Sequence, residues 1–258
     1  MANIEKFVRC SAGKETFYGR LEGETIIALK GDIFGSWEES DRRFHLNEVK
    51  LLAPCQPSKA VCVGLNYRRH AAELTMNVPE EPVIFIKPST CIINPGEEII
   101  SWPMVERLDY EAELAVVIGR TAHNVKEEEA WEYIFGYTAG NDVTARDLQQ
   151  KDGQWTRAKG FDTFLPLGPY LVRGINPPDL SVQSYLNGEL KQDGRTSQLI
   201  FSIPCLVSFI SQVMTLLPGD IIMTGTPEGV GPMQAGDTIE IRVEGIGSLV
   251  NRIAAPRR

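Results

Sequence analysis

Two glutamates one residue apart, Glu111 and Glu113, are the first residues whose types and spacing suggest chemistry. Side chains alternate along a strand, so on a strand these two carboxylates share a face, about 7 Å apart. Glutamate is a poor strand former, and like charges that close repel. On a solvated face the pair costs little and signifies little. On a buried face it demands a cation, because unpaired buried carboxylates are very unfavourable. Asp142 follows in Thr138-Ala139-Gly140-Asn141-Asp142, where small residues and glycine let the backbone approach a site closely. Three carboxylates form an all-oxygen donor set. Such a set selects a hard cation, Mg²⁺ or Mn²⁺, over Zn²⁺, and leaves about three octahedral positions for substrate or water.

A second pair is His70 and Glu73, three apart and so neighbours on a helical turn. A carboxylate beside a histidine orients the ring and raises its basicity, which makes a general-base pair; the plainer reading is a surface contact. Lys87, Arg146 and Lys159 are ordinarily solvated charges. Together they would balance a trianionic site and an anionic substrate. Thr224-Gly225-Thr226-Pro227-Glu228-Gly229-Val230-Gly231 lacks the Gly-Lys-Ser/Thr of a phosphate loop and no helical pattern follows it. A tight turn presenting Thr226 to a pocket is the better functional reading, and a plain turn the simpler one.

These groups need elements to hold them. Residues 111–118 alternate as a strand, and residues 60–63, 83–86, 220–223 and 238–243 read as further strands. Residues 182–186 and 189–191 flank Asn187-Gly188, a type I′ hairpin signal. The first fifty residues read as short strands at 7–10, 16–21 and 25–29, then a polar stretch over 36–50. Pro54 and Pro57 place a boundary between a small β-rich N-terminal domain, 1–53, and a main domain, 54–258. Asn124-x-x-Glu127 has the form of a capping box and predicts a helix running to about Phe135. Ser202 and Pro204 open a second helix, with Leu206, Phe209, Ile210, Val213 and Met214 on its apolar stripe and Pro218-Gly219 ending it. Many short strands with few helices predict a closed or rolled mixed sheet, mainly β with some α.

Composition excludes several classes. The net charge of −8 argues against a nucleic-acid partner. No apolar run has the length of a membrane span, and residues 1–9 show no signal-peptide core, so a cytoplasmic protein is expected. The five cysteines, Cys10, Cys55, Cys62, Cys91 and Cys205, are scattered, which predicts free thiols rather than zinc or disulfides.

Taken in order, Gly64-x-Asn66-Tyr67-x-x-His70-x-x-Glu73, Lys87-Pro88-Ser89, Tyr110-Glu111-x-Glu113-Leu114, Asn141-Asp142-Val143-Thr144-Ala145-Arg146-Asp147, Lys159-Gly160-Phe161-Asp162 and Gly225-Thr226-Pro227-x-Gly229-Val230-Gly231 closely resemble the fumarylacetoacetate hydrolase family. The resemblance spans about residues 54–258, and the first fifty residues resemble the small extra domain of bacterial and archaeal members. It implies a mixed β-sandwich roll and a homodimer. It implies Mg²⁺ on Glu111, Glu113 and Asp142, with His70, Glu73 and Lys159 catalytic. Arg146, Gln149 and Thr226 match substrate-contacting positions, and Tyr67, Lys87 and Gly225 in the same motifs join that set. Departures are expected over residues 73–82 and 150–158, which shape substrate choice.

The implied function is a Mg²⁺-dependent (or Mn²⁺-dependent) hydrolase or decarboxylase of small anionic 2-oxo acids. Acylpyruvate or fumarylpyruvate C–C hydrolysis, oxaloacetate decarboxylation and oxaloacetate tautomerisation all pass through an enolate that the cation stabilises. The alternative enzyme is a 2-hydroxyhepta-2,4-diene-1,7-dioate isomerase of aromatic catabolism. A non-catalytic metal- or metabolite-binding protein and a nucleotide-binding module are the readings of other classes.

Overall fold

A computed structural model describes residues 4–73, 75 and 77–256. Its frame is a twelve-stranded sheet. The main path runs through Trp37–His45, Thr25–Gly31, Glu15–Glu22, Glu5–Ala12 and Leu165–Arg173, then Ile134–Asn141, Ala112–Ile118, Ile221–Met223, Ala60–Gly64 and Val83–Lys87. The N-terminal strands are thus continuous with the rest, joined where Glu5–Ala12 pairs antiparallel with Leu165–Arg173. A five-stranded sheet faces the large one, and a three-stranded sheet of Thr144–Ala145, Leu108–Tyr110 and Gly231–Met233 closes the end near Asp142. Two layers of sheet with few helices give the expected mainly β sandwich roll.

Ala112–Ile118 lies at the centre and is buried on both faces. Ala112, Leu114, Val116 and Ile118 pack with Val182, Ile239, Ile241 and Leu249 of the five-stranded sheet. Ala115 and Val117 point the other way, among Phe7, Leu167, Leu171, Ile221 and Met223. The period of two therefore separates one core from another, not core from water. Glu113 shares its face with Ala115 and Val117, so the solvated-face reading of the glutamate pair fails.

The hairpin forms over Ser181–Leu186 and Glu189–Arg195, with Asn187 and Gly188 at φ 53° and 83° as a type I′ turn requires. Ser202 caps Ile203–Val213, its side chain accepting the Cys205 N–H. That helix ends at Val213, short of Pro218, and Val213 is 58% exposed, off the buried stripe.

Two expectations need correction. The 124–135 helix is a single 3₁₀ stretch, Glu127–Tyr133, entered from Lys126 without a side-chain cap. Asn124 instead takes φ 54°, its N–H held by the Ser211 carbonyl, and Phe135 belongs to a strand. The polar stretch 36–50 contains a nine-residue strand, Trp37–His45. It ends the sheet's path, where only Ser40 is buried, so it needs no apolar alternation. All five cysteines are free. Among the described residues no helix is long and apolar enough to cross a membrane.

The parallel pair Ile221–Met223 and Ala60–Gly64 is clamped at its start by Asp220. This fully buried carboxylate accepts from Ser58 N–H at 2.9 Å, Ser58 Oγ at 2.7 Å and Leu217 N–H at 2.8 Å, and pairs with the Lys59 ammonium. Burial opposes its charge, but Lys59, Leu217 and Ser58 hold its pKa below the usual carboxylate value. A depressed carboxyl stabilises the fold above the unfolded value of about 3.9, and that stability drains as pH falls toward the folded value. Asp220→Asn should cost about 2 kcal/mol near neutrality in urea denaturation, and its deficit should shrink below about pH 4. A deficit that stayed constant with pH would show that the charge is not what the clamp uses.

Candidate active site

Three carboxylates meet where the chain passes from the small sheet to the large one. Glu111 sits in the break between Leu108–Tyr110 and Ala112–Ile118, not inside one strand as the alternation predicted. The ladder to Ile134–Asn141 pairs Ala112 with Asn141. Asp142, one step beyond, donates its N–H to the Glu111 carbonyl at 2.9 Å, and Asn141 Oδ1 accepts the Glu111 N–H at 2.9 Å. Strand register thus brings together residues about thirty apart in the chain. One carboxylate oxygen from each of Glu111, Glu113 and Asp142 lies within 4.8 Å of the others, and all three residues are buried.

The predicted cations surround this group unevenly. Lys159, on the short helix Thr156–Lys159, bridges Glu111 at 2.8 Å and Asp142 at 2.9 Å. Arg146 opens the helix Arg146–Asp152 and splits its fork among Glu111 at 2.5 Å, Asp109 at 2.9 Å and Gln149 at 2.6 Å. Burial works against charge at Glu111, yet Lys159, Arg146 and then His70 outweigh it and hold its pKa far below the usual range. Burial works against the charge of Lys159 and of Arg146, but the neighbouring carboxylates raise both pKa values. Glu113 is the exception. Among the described residues its one direct donor is the Gly225 N–H at 2.7 Å, and burial, then Asp142 and Glu111, push its pKa well up.

In this group four buried carboxylates (Asp109, Glu111, Glu113, Asp142) face three buried cations (Lys87, Arg146, Lys159) among the described residues. A hard divalent cation would offset the surplus and relieve Glu113, so this donor set fits the metal that the sequence implied.

A cavity of about 200 Å³ opens beside this group. His70, Arg146, Gln149, Lys159 and Thr226 line it together with Glu111 and Glu113. His70 lies on Arg68–Glu73, buried, with Nδ1 2.9 Å from Glu73 Oε2. The other Glu73 oxygen accepts the Gly229 N–H at 3.0 Å, which ties the pair to the glycine loop. In that loop Gly225 takes φ 100°, and a Cβ there would lie 2.6 Å from Asn66 Cβ. Thr226 reaches the cavity, but its hydroxyl already donates to the Ala112 carbonyl at 2.9 Å and accepts from Gln192 Nε2 at 2.8 Å.

Three residues predicted to touch substrate do not line the cavity. Lys87 is fully buried behind Asp142, its ammonium bonded to Asp142 Oδ1 at 2.5 Å and the Val143 carbonyl at 3.0 Å, so it backs the carboxylate instead. Tyr67 is 1% exposed and borders a separate surface groove beside Arg68 and Glu228. Gly225 acts through its N–H on Glu113. Sequence reasoning missed Asp109, which orients Arg146, and Gln192, whose side chain joins the Ala112 N–H to Thr226 and the Pro227 carbonyl. It also missed the lining residues Leu65 and Phe85, whereas Gln150 and Trp155, which line the cavity too, belong to the stretch 150–158 expected to shape substrate choice. Within 73–82, Leu74 and Met76 lie outside the described residues.

Comparison with known proteins decides the lineage. Residues 59–254 match the family model described as fumarylacetoacetate (FAA) hydrolase C-terminal, and residues 5–54 match the Rv2993c-like N-terminal one. The chain belongs to the fumarylacetoacetate hydrolase family. Protein Rv2993c of Mycobacterium tuberculosis is 50% identical over 223 residues, covering 85% of this chain and 84% of that protein. Oxaloacetate tautomerase YisK of Bacillus subtilis is 45% identical over 225 residues, covering 81% of this chain and 75% of that one. A crystal structure described as 2-hydroxyhepta-2,4-diene-1,7-dioate isomerase from Mycobacterium marinum is 43% identical at TM-score 0.92, covering 98% of this chain and all of that one.

The unequal partnering of the carboxylates predicts unequal variants. Glu111→Gln leaves Arg146 and Lys159 short of charge and should cost the metal-free protein about 3 kcal/mol. Glu113→Gln removes a carboxylate that is unfavourable without a cation, so the metal-free variant should be at least as stable as wild type. Mg²⁺ at about 100-fold its Kd should stabilise wild type by about 2.7 kcal/mol and leave Glu113→Gln unmoved. Thermal melts with EDTA and with Mg²⁺ check this. An equal Mg²⁺ shift in both proteins would remove Glu113 from the donor set.

Proposed function

We propose that this enzyme enolises small 2-oxo acids, moving a proton between C3 and His70. The observation that carries the reading is the shared cavity: His70, held by Glu73, faces it together with the carboxylate–cation group. A divalent cation on Glu111, Glu113 and Asp142 would polarise the 2-oxo group as a Lewis acid.

The chain's own residues supply the rest. The Lys159 ammonium lines the cavity and offsets the charge that develops on the substrate oxygen. Arg146 turns Nη1 toward Gln149, whose amide Nε2 is then placed to donate to the substrate carboxylate. A Glu73 carboxylate has no proton to give, so His70 Nδ1–H donates to it and Nε2 keeps its lone pair for the cavity. Nε2 takes the C3 proton and returns it to carbon or to oxygen, which is a keto–enol tautomerisation. The relatives whose names specify oxaloacetate tautomerase and heptadienedioate isomerase support this proton-transfer outcome.

A second outcome uses the same base. If Nε2 deprotonates a water instead, that water adds to the distal carbonyl of a β-diketo acid, the C–C bond breaks to leave a carboxylic acid and the enolate of the 2-oxo acid, and the proton held on Nε2 goes to C3 of that enolate. The pair of buried His70 and the more exposed Glu73 suits this hydrolysis as well as it suits tautomerisation. Decarboxylation of a β-carboxyl substrate needs only the same electron sink.

Pyruvate in D₂O with Mg²⁺ tests the shared step, because C3 protons exchange in all of these reactions. Wild type should incorporate deuterium by NMR, and His70→Ala should lose about 10²–10⁴-fold of that rate. Glu73→Gln should lose less, since it alters orientation and basicity but leaves the base. Full exchange by His70→Ala would end the assignment of the base. A turnover screen with acetopyruvate, fumarylpyruvate, oxaloacetate and the dienoate diacid then separates cleavage from tautomerisation.

A further inference from the structure

The base of the proposed reaction stands on a helix too short to hold itself. Arg68–Glu73 has six residues, and a helix of that length takes its position from outside contacts. His70 and Ala71 are buried, but the Glu73 side chain is 33% exposed. The glycine loop supplies two contacts to the helix. Glu73 Oε1 accepts the Gly229 N–H at 3.0 Å, and Arg69 pairs with Glu228 at 3.3 Å. The Arg69 side chain is mostly solvated, so the second contact contributes little.

That loop is pinned at two places. Its first half is held by Gln192, which donates to Thr226 Oγ1 and to the Pro227 carbonyl, each at 2.8 Å. This half serves Glu113 through the Gly225 N–H. The second half is held by Tyr110, whose hydroxyl donates to the Gly229 carbonyl at 3.0 Å. Tyr110 is buried and lies opposite Gly231 in the ladder between Leu108–Tyr110 and Gly231–Met233. Both glycines make room for this contact. A Cβ on Gly231 would lie 2.8 Å from the Tyr110 hydroxyl, and one on Gly229, at φ 94°, would run into the Lys191 carbonyl oxygen.

We propose that Tyr110 is a positioning residue for the base: through the Gly229 backbone it fixes Glu73, and through Glu73 it fixes the tautomer and direction of His70. As a device for catalysis this rests on the 2-oxo acid reading of the same site. Tyr110 does not line the cavity and acts only through the loop. It directly precedes Glu111, so the base is set in register with the segment that carries a site carboxylate. Released from Gly229, Glu73 would turn to water, and His70 would lose the acceptor that keeps its proton on Nδ1.

Two readouts test this, and one needs no turnover. In protein carrying ¹⁵N-histidine, the neutral His70 ring, assigned by its loss in His70→Ala, reports which nitrogen is protonated. Wild type should hold the proton on Nδ1, and Tyr110→Phe and Gly231→Ala should each move it toward Nε2. The second readout is C3 exchange of saturating pyruvate in D₂O with Mg²⁺, which Tyr110→Phe should slow about tenfold. In a Glu73→Ala background the same substitution should change the rate by less than about twofold, because the group it acts through is gone. Oxamate does not enolise, and by calorimetry it should bind Tyr110→Phe within about threefold of wild type, since Gln192 holds the loop's first half independently. Equal losses in the two backgrounds overturn the proposal, and so does a wild-type His70 tautomer in Tyr110→Phe. A wild-type protein that holds the Nδ1 tautomer but exchanges no pyruvate proton would sink the 2-oxo acid reading instead, and the tautomer in Tyr110→Phe would then decide the positioning role by itself.

Discussion

A carboxylate in a dry interior is unfavourable unless something answers its charge, and here four of them are buried within one small volume. Much of the surrounding structure reads as a response. Asp142 receives Lys87 and Lys159, Glu111 receives Lys159 and Arg146, and Asp109 receives Arg146 and Arg107. These pairs need not stabilise the fold on balance, because taking each cation out of water has its own cost. What they provide is a fixed arrangement. The Lys87, Lys159 and Arg146 heads are each held by at least two partners, so the carboxylates they bind have little freedom to turn. Of the four, Glu113 lacks a direct cationic partner among the described residues, and burial, with Asp142 and Glu111 close by, pushes its pKa well up. The charge pattern therefore leaves one carboxylate poised for an added cation, and places it beside the cavity.

That arrangement depends on the central strand being covered on both sides. If Ala115 and Val117 faced water, Glu111 and Glu113 would be solvated, and neither lysine nor arginine would need to enter the interior. The large sheet supplies the cover by extending through the N-terminal strands: Phe7 of Glu5–Ala12 packs in the same core as Ala115, Val117 and Leu171. The first fifty residues thus share in keeping the site's side of the sheet dry, although none of them lines the cavity.

How much of this was readable from the chain varied with how local each signal was. Asn187-Gly188 and Ser202 act through their own backbone neighbours, and both behave as their residue types require. The glutamate pair was legible as a pair, but its meaning turned on burial, which depends on strands from four other parts of the chain. Asp142 joins it only because Ala112 pairs with Asn141, and register of that kind leaves no mark at either position. Trp37–His45 was hidden by its place at the end of the sheet, where few side chains are buried and alternation is not enforced. Asn124 misled for a physical reason. Asparagine suits a helix cap and also suits positive φ, and here the Ser211 carbonyl holds it in the second state. Gln192 and Asp109 are ordinary residues in sequence, and each gains its role from a partner far along the chain.

The proposed chemistry follows from these constraints. Abstraction of a C3 proton needs one base, and His70 Nε2 is free for it because Nδ1 is committed to Glu73. What happens next is not decided by that base. Return of the proton gives a tautomer, whereas water admitted to the distal carbonyl gives cleavage. The difference between the two outcomes is whether a water stands at the distal carbonyl when the base acts, so the same pair of side chains serves either reaction.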